Sequence, residues 1–285
     1  MSNFTIPTES TFIEANGTRF AYRKFGAETG TPVVFLVHFR GTMENWDPNM
    51  VAPIAKERPV ILFDNKGVGE TNGQTPETIS EMAQDAATFI KALGLNKVDI
   101  LGFSIGGMVA QELALQEGDL IRRIVIAGSS PEAGVRPEPV IFERMTRHGG
   151  NVDTAIDDFM FFFYKSTETS KSAGMDSLQR IMSQKQFESS DQVQAAQLNA
   201  VAKWAQPKPD QDYDWLKNIT HPVLVTNGNE DVMVETKNSF ILSEKLPNAQ
   251  LIIYPDSGHG HLFQFPELFA ENVNSFLDAT SLYDL

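Results

Sequence analysis

The groups with which this chain could do chemistry are a serine, two adjacent acids and two histidines. Ser104 sits in "GFSIGG" (102–107), Glu230 and Asp231 in "NEDVMV" (229–234), and His259 and His261 in "PDSGHGHLF" (255–263). A serine hydroxyl is a poor nucleophile near neutral pH. It needs a base within hydrogen-bond reach and an acid to orient that base. All three kinds of group are present, in the chain order serine, acid, histidine. Other chemistries are poorly served. The 285 residues include no cysteine, which excludes thiolate catalysis, disulfides and Cys-ligated metals. No two of the five histidines have the i, i+4 helical spacing of a zinc site, so no metal is expected.

The surrounding elements must position these groups. "TFIEANGTRFAYRKF" (11–25) reads as two strands joined at Asn16-Gly17, a hairpin signal. Apolar strands follow at 32–38, 59–64, 97–103 and 122–128. Helices are expected at 78–94, where Thr78 and Glu81 suggest a capping box, and at 106–118. The rhythm resumes late, with strands at 222–228 and 250–256 and helices at 236–246 and 266–277. Continuous apolar strands alternating with helices imply a parallel sheet covered on both faces.

Between about 130 and 216 the strands vanish. "NVDTAIDDFMFFFYK" (151–165) and "SDQVQAAQLNAVAKWAQPKP" (190–209) read as helices. The first is apolar most of the way round, so it must be buried on more than one side. The expected organisation is therefore a core of 1–129 and 217–285 interrupted by a helical cap at 130–216. Phe159, Met160, Phe162, Phe163 and Trp204 are candidates for an apolar substrate lining, together with Phe39; packing within the cap is the other reading of the cap residues.

"GFSIGG" joins an expected strand to an expected helix. A sharp strand-to-helix turn strains the residue at its tip and needs small neighbours, and Gly102 and Gly106 supply them. A Walker loop would need Gly-Lys-Ser/Thr, and Gly106-Gly107-Met108 does not fit. On this elbow, the element order and the serine-acid-histidine order, the chain resembles the α/β-hydrolase superfamily across nearly its whole length. The resemblance implies a mostly parallel eight-stranded sheet flanked by helices, with Ser104 as nucleophile. The superfamily's G-x-x-D matches Gly228 to Asp231, which favours Asp231 over Glu230 as the acid. Its small residue followed by histidine matches both Gly258-His259 and Gly260-His261. His259 is preferred because it lies nearer the strand end; His261 is read as a loop residue beside the site or facing solvent.

The resemblance also places an oxyanion hole at the backbone N–H groups of Arg40 and Ile105. Phe39 stands where glycine is common, so the backbone there must avoid positive φ or bear strain, and Gly41 could take over the flexibility. The Arg40 guanidinium has two readings, attraction of a carboxylate-bearing substrate or pairing with Glu44 or another acid as loop structure. His38 is expected to organise its loop, and "FDNKGVGETNG" (63–73) to be scaffold.

Composition excludes further classes. The formal charge is −14 with no basic cluster, which argues against nucleic acid and anionic membranes as partners. No apolar run is long enough to span a bilayer, and a cytoplasmic enzyme is expected. The expected activity is carboxylic-ester hydrolysis on a small to medium apolar ester, with no cofactor. The same triad also serves cofactor-free perhydrolases (named haloperoxidases), C–C bond hydrolases, lactonases and aminopeptidases. A ligand receptor that retains the fold is the non-enzymatic alternative. Nothing in the sequence separates these, because fold does not fix function.

Overall fold

The computed structural model describes residues 6–145, 152–184, 186–208 and 212–280. His148, expected in the helical insertion, lies outside them. The eight strands are β1 (Thr11–Ala15), β2 (Thr18–Gly26), β3 (Val33–Leu36), β4 (Pro59–Phe63), β5 (Val98–Phe103), β6 (Ile121–Ala127), β7 (Val223–Gly228) and β8 (Ala249–Tyr254). They form one sheet in the order β1-β2-β4-β3-β5-β6-β7-β8. β2 pairs antiparallel with β1 and β4, and every other pairing is parallel. Asn16 and Gly17, both at positive φ, turn the β1–β2 hairpin as their types require.

Helices α1 (Pro48–Glu57), α2 (Ile79–Ala92) and α3 (Ile105–Gln116) come before β6. Between β6 and β7 lie α4 (Pro139–Met145), α5 (Val152–Phe163), α6 (Glu168–Met182) and α7 (Asp191–Trp204), with no strand among the described residues. After β7 come α8 (Lys237–Lys245), α9 (His261–Gln264) and α10 (Pro266–Asp278). Successive strand residues point to opposite faces. Val34 and Leu36 therefore join the core under α2 and α3, and Val33 and Phe35 the core under α1 and α10. Both faces are dry, which is why the strands read as unbroken apolar runs.

The sequence reading did not expect α1 or α9, and within the helical stretch at 130–216 it did not resolve α4 and α6 as separate helices. α1 carries Pro53 inside it and Pro48 at its first turn. α6 is rich in serine and charge, so its apolar stripe is thin. At α2 the Thr78 hydroxyl caps the Glu81 N–H (3.2 Å), but Glu81 accepts from the Thr78 hydroxyl (2.6 Å) rather than completing a capping box.

The helical insertion is tied to the loop after β3. Arg180 of α6 makes a two-pronged ion pair with the buried Asp47, at 2.9 and 2.7 Å. Glu44 accepts the backbone N–H groups of Gln186 (2.7 Å) and Phe187 (3.0 Å). These ties fix the insertion over the carboxyl ends of the strands, the usual place for a site in an open α/β sheet.

Candidate active site

Ser104 stands between the end of β5 and the first residue of α3, with φ 58° and ψ −121°. Few L-residues adopt this backbone, and it persists only where the surroundings enforce it. Here they do. A Cβ on Gly102 would lie 2.3 Å from the Gly106 carbonyl oxygen, and one on Gly106 would lie 2.0 Å from that of Leu36. The Ser104 N–H donates to the Ala127 carbonyl at 2.9 Å, locking the turn to β6. The Ile105 N–H begins α3, where the helix dipole favours negative charge.

Asp231 follows β7 and is nearly buried. Its Oδ1 accepts the N–H groups of Met233 and Val234, each at 2.9 Å. Its Oδ2 faces His259 Nδ1 at 2.6 Å, with both side chains fully buried. Glu230 points away. Its carboxylate is 61% exposed and pairs with Lys165 of the insertion. Of the two adjacent acids, the structure brings Asp231 to a histidine and leaves Glu230 at the surface.

The His259 ring is held between Phe103 (ring centroids 4.8 Å apart) and Phe163 of α5 (5.4 Å). With Nδ1 committed to Asp231, its Nε2 is buried and has no partner among the described residues. Ser104 and His259 line the same cavity. His261 is also buried, so its solvent-facing reading is corrected. It opens α9, donates from Nδ1 to the His259 carbonyl (3.2 Å) and faces Thr226 Oγ1 with Nε2 (3.0 Å). Burial first, then the neighbouring His259, push its pKa down to about 3. It is a neutral ring with both nitrogens engaged.

In the loop after β3, Phe39 avoids positive φ, one of the two readings given for it. Positive φ falls on Arg40 (59°) and not on Gly41, so the shift of flexibility to Gly41 is corrected. Gly41 is needed for room instead, since a Cβ there would lie 2.5 Å from Val37 Cγ2. The Arg40 N–H, expected to serve the oxyanion, donates to Gln197 Oε1 of α7 at 2.7 Å and is occupied. Nor does Arg40 pair with Glu44, which is buried against Arg23 at 2.9 Å. Its guanidinium instead reaches Ser189 Oγ (3.3 Å) and Gln194 Oε1 (3.0 Å). His38 hydrogen-bonds from Nδ1 to the Phe39 carbonyl at 2.9 Å and sits edge-on to Phe103 and Phe163. In the 63–73 loop, Asp64 accepts the N–H groups of Met43 (2.8 Å) and Glu70 (3.0 Å). Burial raises the Asp64 pKa to about 6.

Two cavities meet at Ser104. The first, about 350 Å³, is lined mainly by apolar groups, including Met108, Val135, Pro137, Phe142, Val201 and Trp204. The second, about 650 Å³, holds His259, Arg40, Gln194, Arg144, Asp158 and Asp191 beside Phe159, Phe162 and Phe163. Phe39 lines both, as do Met145 and Met233. Met160, an expected lining residue, lines neither; it packs toward Gly174 of α6. Sequence reasoning missed Gln194 and Gln197. Their signal was two glutamines three apart on the buried stripe of α7 that also carries Val193, Ala200 and Trp204.

Among the described residues no group of three or more His, Cys, Asp or Glu could hold a metal ion. Nor is any helix long and apolar enough to cross a membrane.

Comparison with known proteins agrees with this fold. Residues 31–266 match the family model of the alpha/beta hydrolase fold. A putative carbamate hydrolase, RutD, of Caulobacter sp. (strain K31) is 30% identical over 252 residues, covering 86% of this chain and 90% of the relative. A putative non-heme bromoperoxidase, BpoC, of Mycobacterium tuberculosis (strain CDC 1551 / Oshkosh) is 26% identical, covering 84% and 90%. An alpha/beta hydrolase fold protein from Chitinophaga pinensis superposes with a TM-score of 0.86 at 38% identity, over 95% of this chain and 97% of that one.

Proposed function

The chain belongs to the alpha/beta hydrolase fold family, and we propose that it is a serine hydrolase that cleaves carboxylic esters through an acyl-enzyme. The observation that carries this reading is the buried Asp231–His259 pair, whose Nε2 has no partner among the described residues and whose histidine lines the same cavity as the strained Ser104. Ser104 attacks the acyl carbon while His259 Nε2 takes the hydroxyl proton. Asp231, fixed by two backbone N–H groups, holds the imidazole in the Nδ1–H tautomer and stabilises its charged form. His259 then protonates the departing alcohol, and on the return leg activates the water that cleaves the acyl-serine.

The developing oxyanion needs backbone donors, each worth about 3 kcal/mol to the barrier. Ile105 supplies one from the start of α3. With the Arg40 N–H given to Gln197, the second falls to the Phe39 N–H, one residue earlier. Phe39 shares both cavities with Ser104.

The helices between β6 and β7 act as a cap that shapes the substrate. His259 lines the second cavity and is not among the residues lining the first. The group it protonates is the leaving oxygen, so the alcohol lies in the second cavity and the acyl chain in the first. An apolar cavity of about 350 Å³ favours a carbon chain as the acyl group over the short acyl unit of a carbamate.

The test is a series of p-nitrophenyl esters of rising acyl length, assayed beside the Ser104→Ala variant. Turnover of the wild-type protein far above the variant is expected. Equal, background rates would remove the esterase reading and favour the retained-fold receptor.

A further inference from the structure

A residue lining the second cavity carries a donor that the proposed chemistry does not use. Gln194, on α7, is 3% exposed. Its Oε1 accepts from Arg40 Nη1 at 3.0 Å. A guanidinium can only donate, so this contact fixes the amide orientation and leaves the NH2 group as the uncommitted donor. That Nε2 is buried and has no partner among the described residues. Leaving a buried donor unpaired is costly, and such groups call for an explanation. Of the orphaned buried side-chain atoms, those on residues lining the second cavity are His259 Nε2 and Gln194 Nε2. The first awaits the reacting serine and the leaving oxygen. The second has no such assignment.

We propose that Gln194 is a specificity-determining residue whose amide donates a hydrogen bond to a second oxygen on the leaving-alcohol side of the substrate. The substrate class is then an ester with an apolar acyl chain and an alcohol portion bearing an ether, carbonyl or carboxylate oxygen. Arg40 acts on this contact indirectly, by holding the Gln194 carbonyl. The choice of the alcohol side rests on the ester-hydrolase reading above; the Gln194 contact itself does not require turnover.

The probes are butanoate esters of 2-methoxyethanol and of 1-butanol, which match in length and differ by one ether oxygen for a methylene. Affinities are measured by calorimetry in the Ser104→Ala protein, where hydrolysis does not intervene. The methoxyethyl ester is expected to bind better by roughly five- to tenfold, the worth of one neutral hydrogen bond. Gln194→Glu keeps an oxygen acceptor for Arg40 but removes the NH2 donor, so the preference should vanish in that background. Gln194→Leu should abolish it as well. If Gln194→Glu preserves the preference and only Gln194→Leu disturbs it, Gln194 merely positions Arg40 and the proposal is wrong. Equal binding of the two esters, or binding of neither, overturns it too. A spectroscopic check uses the side-chain ¹⁵N–¹H amide signals, assigned by their loss in Gln194→Glu. They should shift on adding the methoxyethyl ester and not the butyl ester. Separately, wild-type turnover of the butyl ester reports on ester hydrolysis itself, so failure of one reading is distinguishable from failure of the other.

Discussion

Ser104, Asp231 and His259 stand just beyond the carboxyl ends of β5, β7 and β8, whereas Gln194, Gln197, Phe159 and Trp204 come from helices between β6 and β7. The two regions are held differently. The strand-end groups are fixed by short-range backbone contacts, such as the Ser104 N–H to Ala127 and the Asp231 carboxylate to Met233 and Val234. Gln194 and Gln197 are instead tied across to the β3 loop, to the guanidinium and the backbone N–H of Arg40, while Glu44 and Asp47 of that loop hold Gln186 and Arg180. A reacting constellation tolerates little displacement. The proposed one stands on the rigid sheet. A substrate pocket must change shape as specificity changes, and the proposed one is lined by helices that the sheet does not build.

The sharpest way to break this contrast is to remove groups from each side and compare kcat. Ser104→Ala and His259→Ala should each lose roughly 10⁴- to 10⁶-fold, and Asp231→Asn about 10⁴-fold, with the circular dichroism spectrum unchanged. Phe159→Leu, in the insertion, should change kcat by less than about tenfold. His261→Asn should also stay within about tenfold, because both of its ring nitrogens are already engaged by Thr226 and the His259 carbonyl. A large loss in His261→Asn beside a small one in His259→Ala would reverse the assignment of the base.

A smaller effect separates the two cavities. Ala202 of α7 lines the apolar cavity and does not line the one that holds His259. Ala202→Phe should fill part of the acyl space. The expected result is a drop of more than roughly tenfold in kcat/KM for octanoate esters, with acetate esters changing little. Equal losses for both chain lengths would mean that the apolar cavity does not hold the acyl chain.

The two regions also differed in how far they could be read from sequence. The strands announced themselves as unbroken apolar runs because both sheet faces are dry. The elbow was legible because Gly102 and Gly106 answer a local steric demand between β5, β3 and α3. The loop after β3 was misread at Arg40. Whether its N–H is free depends on Gln197, 157 positions away, and no local rule carries that pairing. Of the two readings of His261, beside the site or facing solvent, local sequence could not choose, because a contact that marks its burial, Thr226, lies on β7, far away in the chain. Met160 shows the limit of helical periodicity, which marks an apolar face but does not say whether a cavity or another helix meets it.

The smallest effect on turnover belongs to His261, and its test is thermodynamic. Its pKa is about 3 in the fold against 6.5 for the free side chain. Below pH 6.5 the unfolded chain takes up a proton that the folded chain refuses until about pH 3. Stability from this residue is therefore complete above pH 6.5 and is lost as the pH falls, at up to about 1.4 kcal/mol per pH unit. Asp64 acts in the opposite direction. Its pKa is raised from 3.8 to about 6, so its destabilising charge is relieved as the pH falls through that window. A single wild-type curve between pH 6.5 and 4 mixes the two slopes with those of the other carboxylates. The difference between wild type and His261→Asn cancels the shared terms and isolates the histidine. In urea unfolding, the variant should be less stable at pH 7.5, and the gap should narrow steadily toward pH 4.5. A gap that stays constant with pH would show that His261 titrates in the fold much as it does in the unfolded chain, and that its burial against Thr226 is not what the geometry implies.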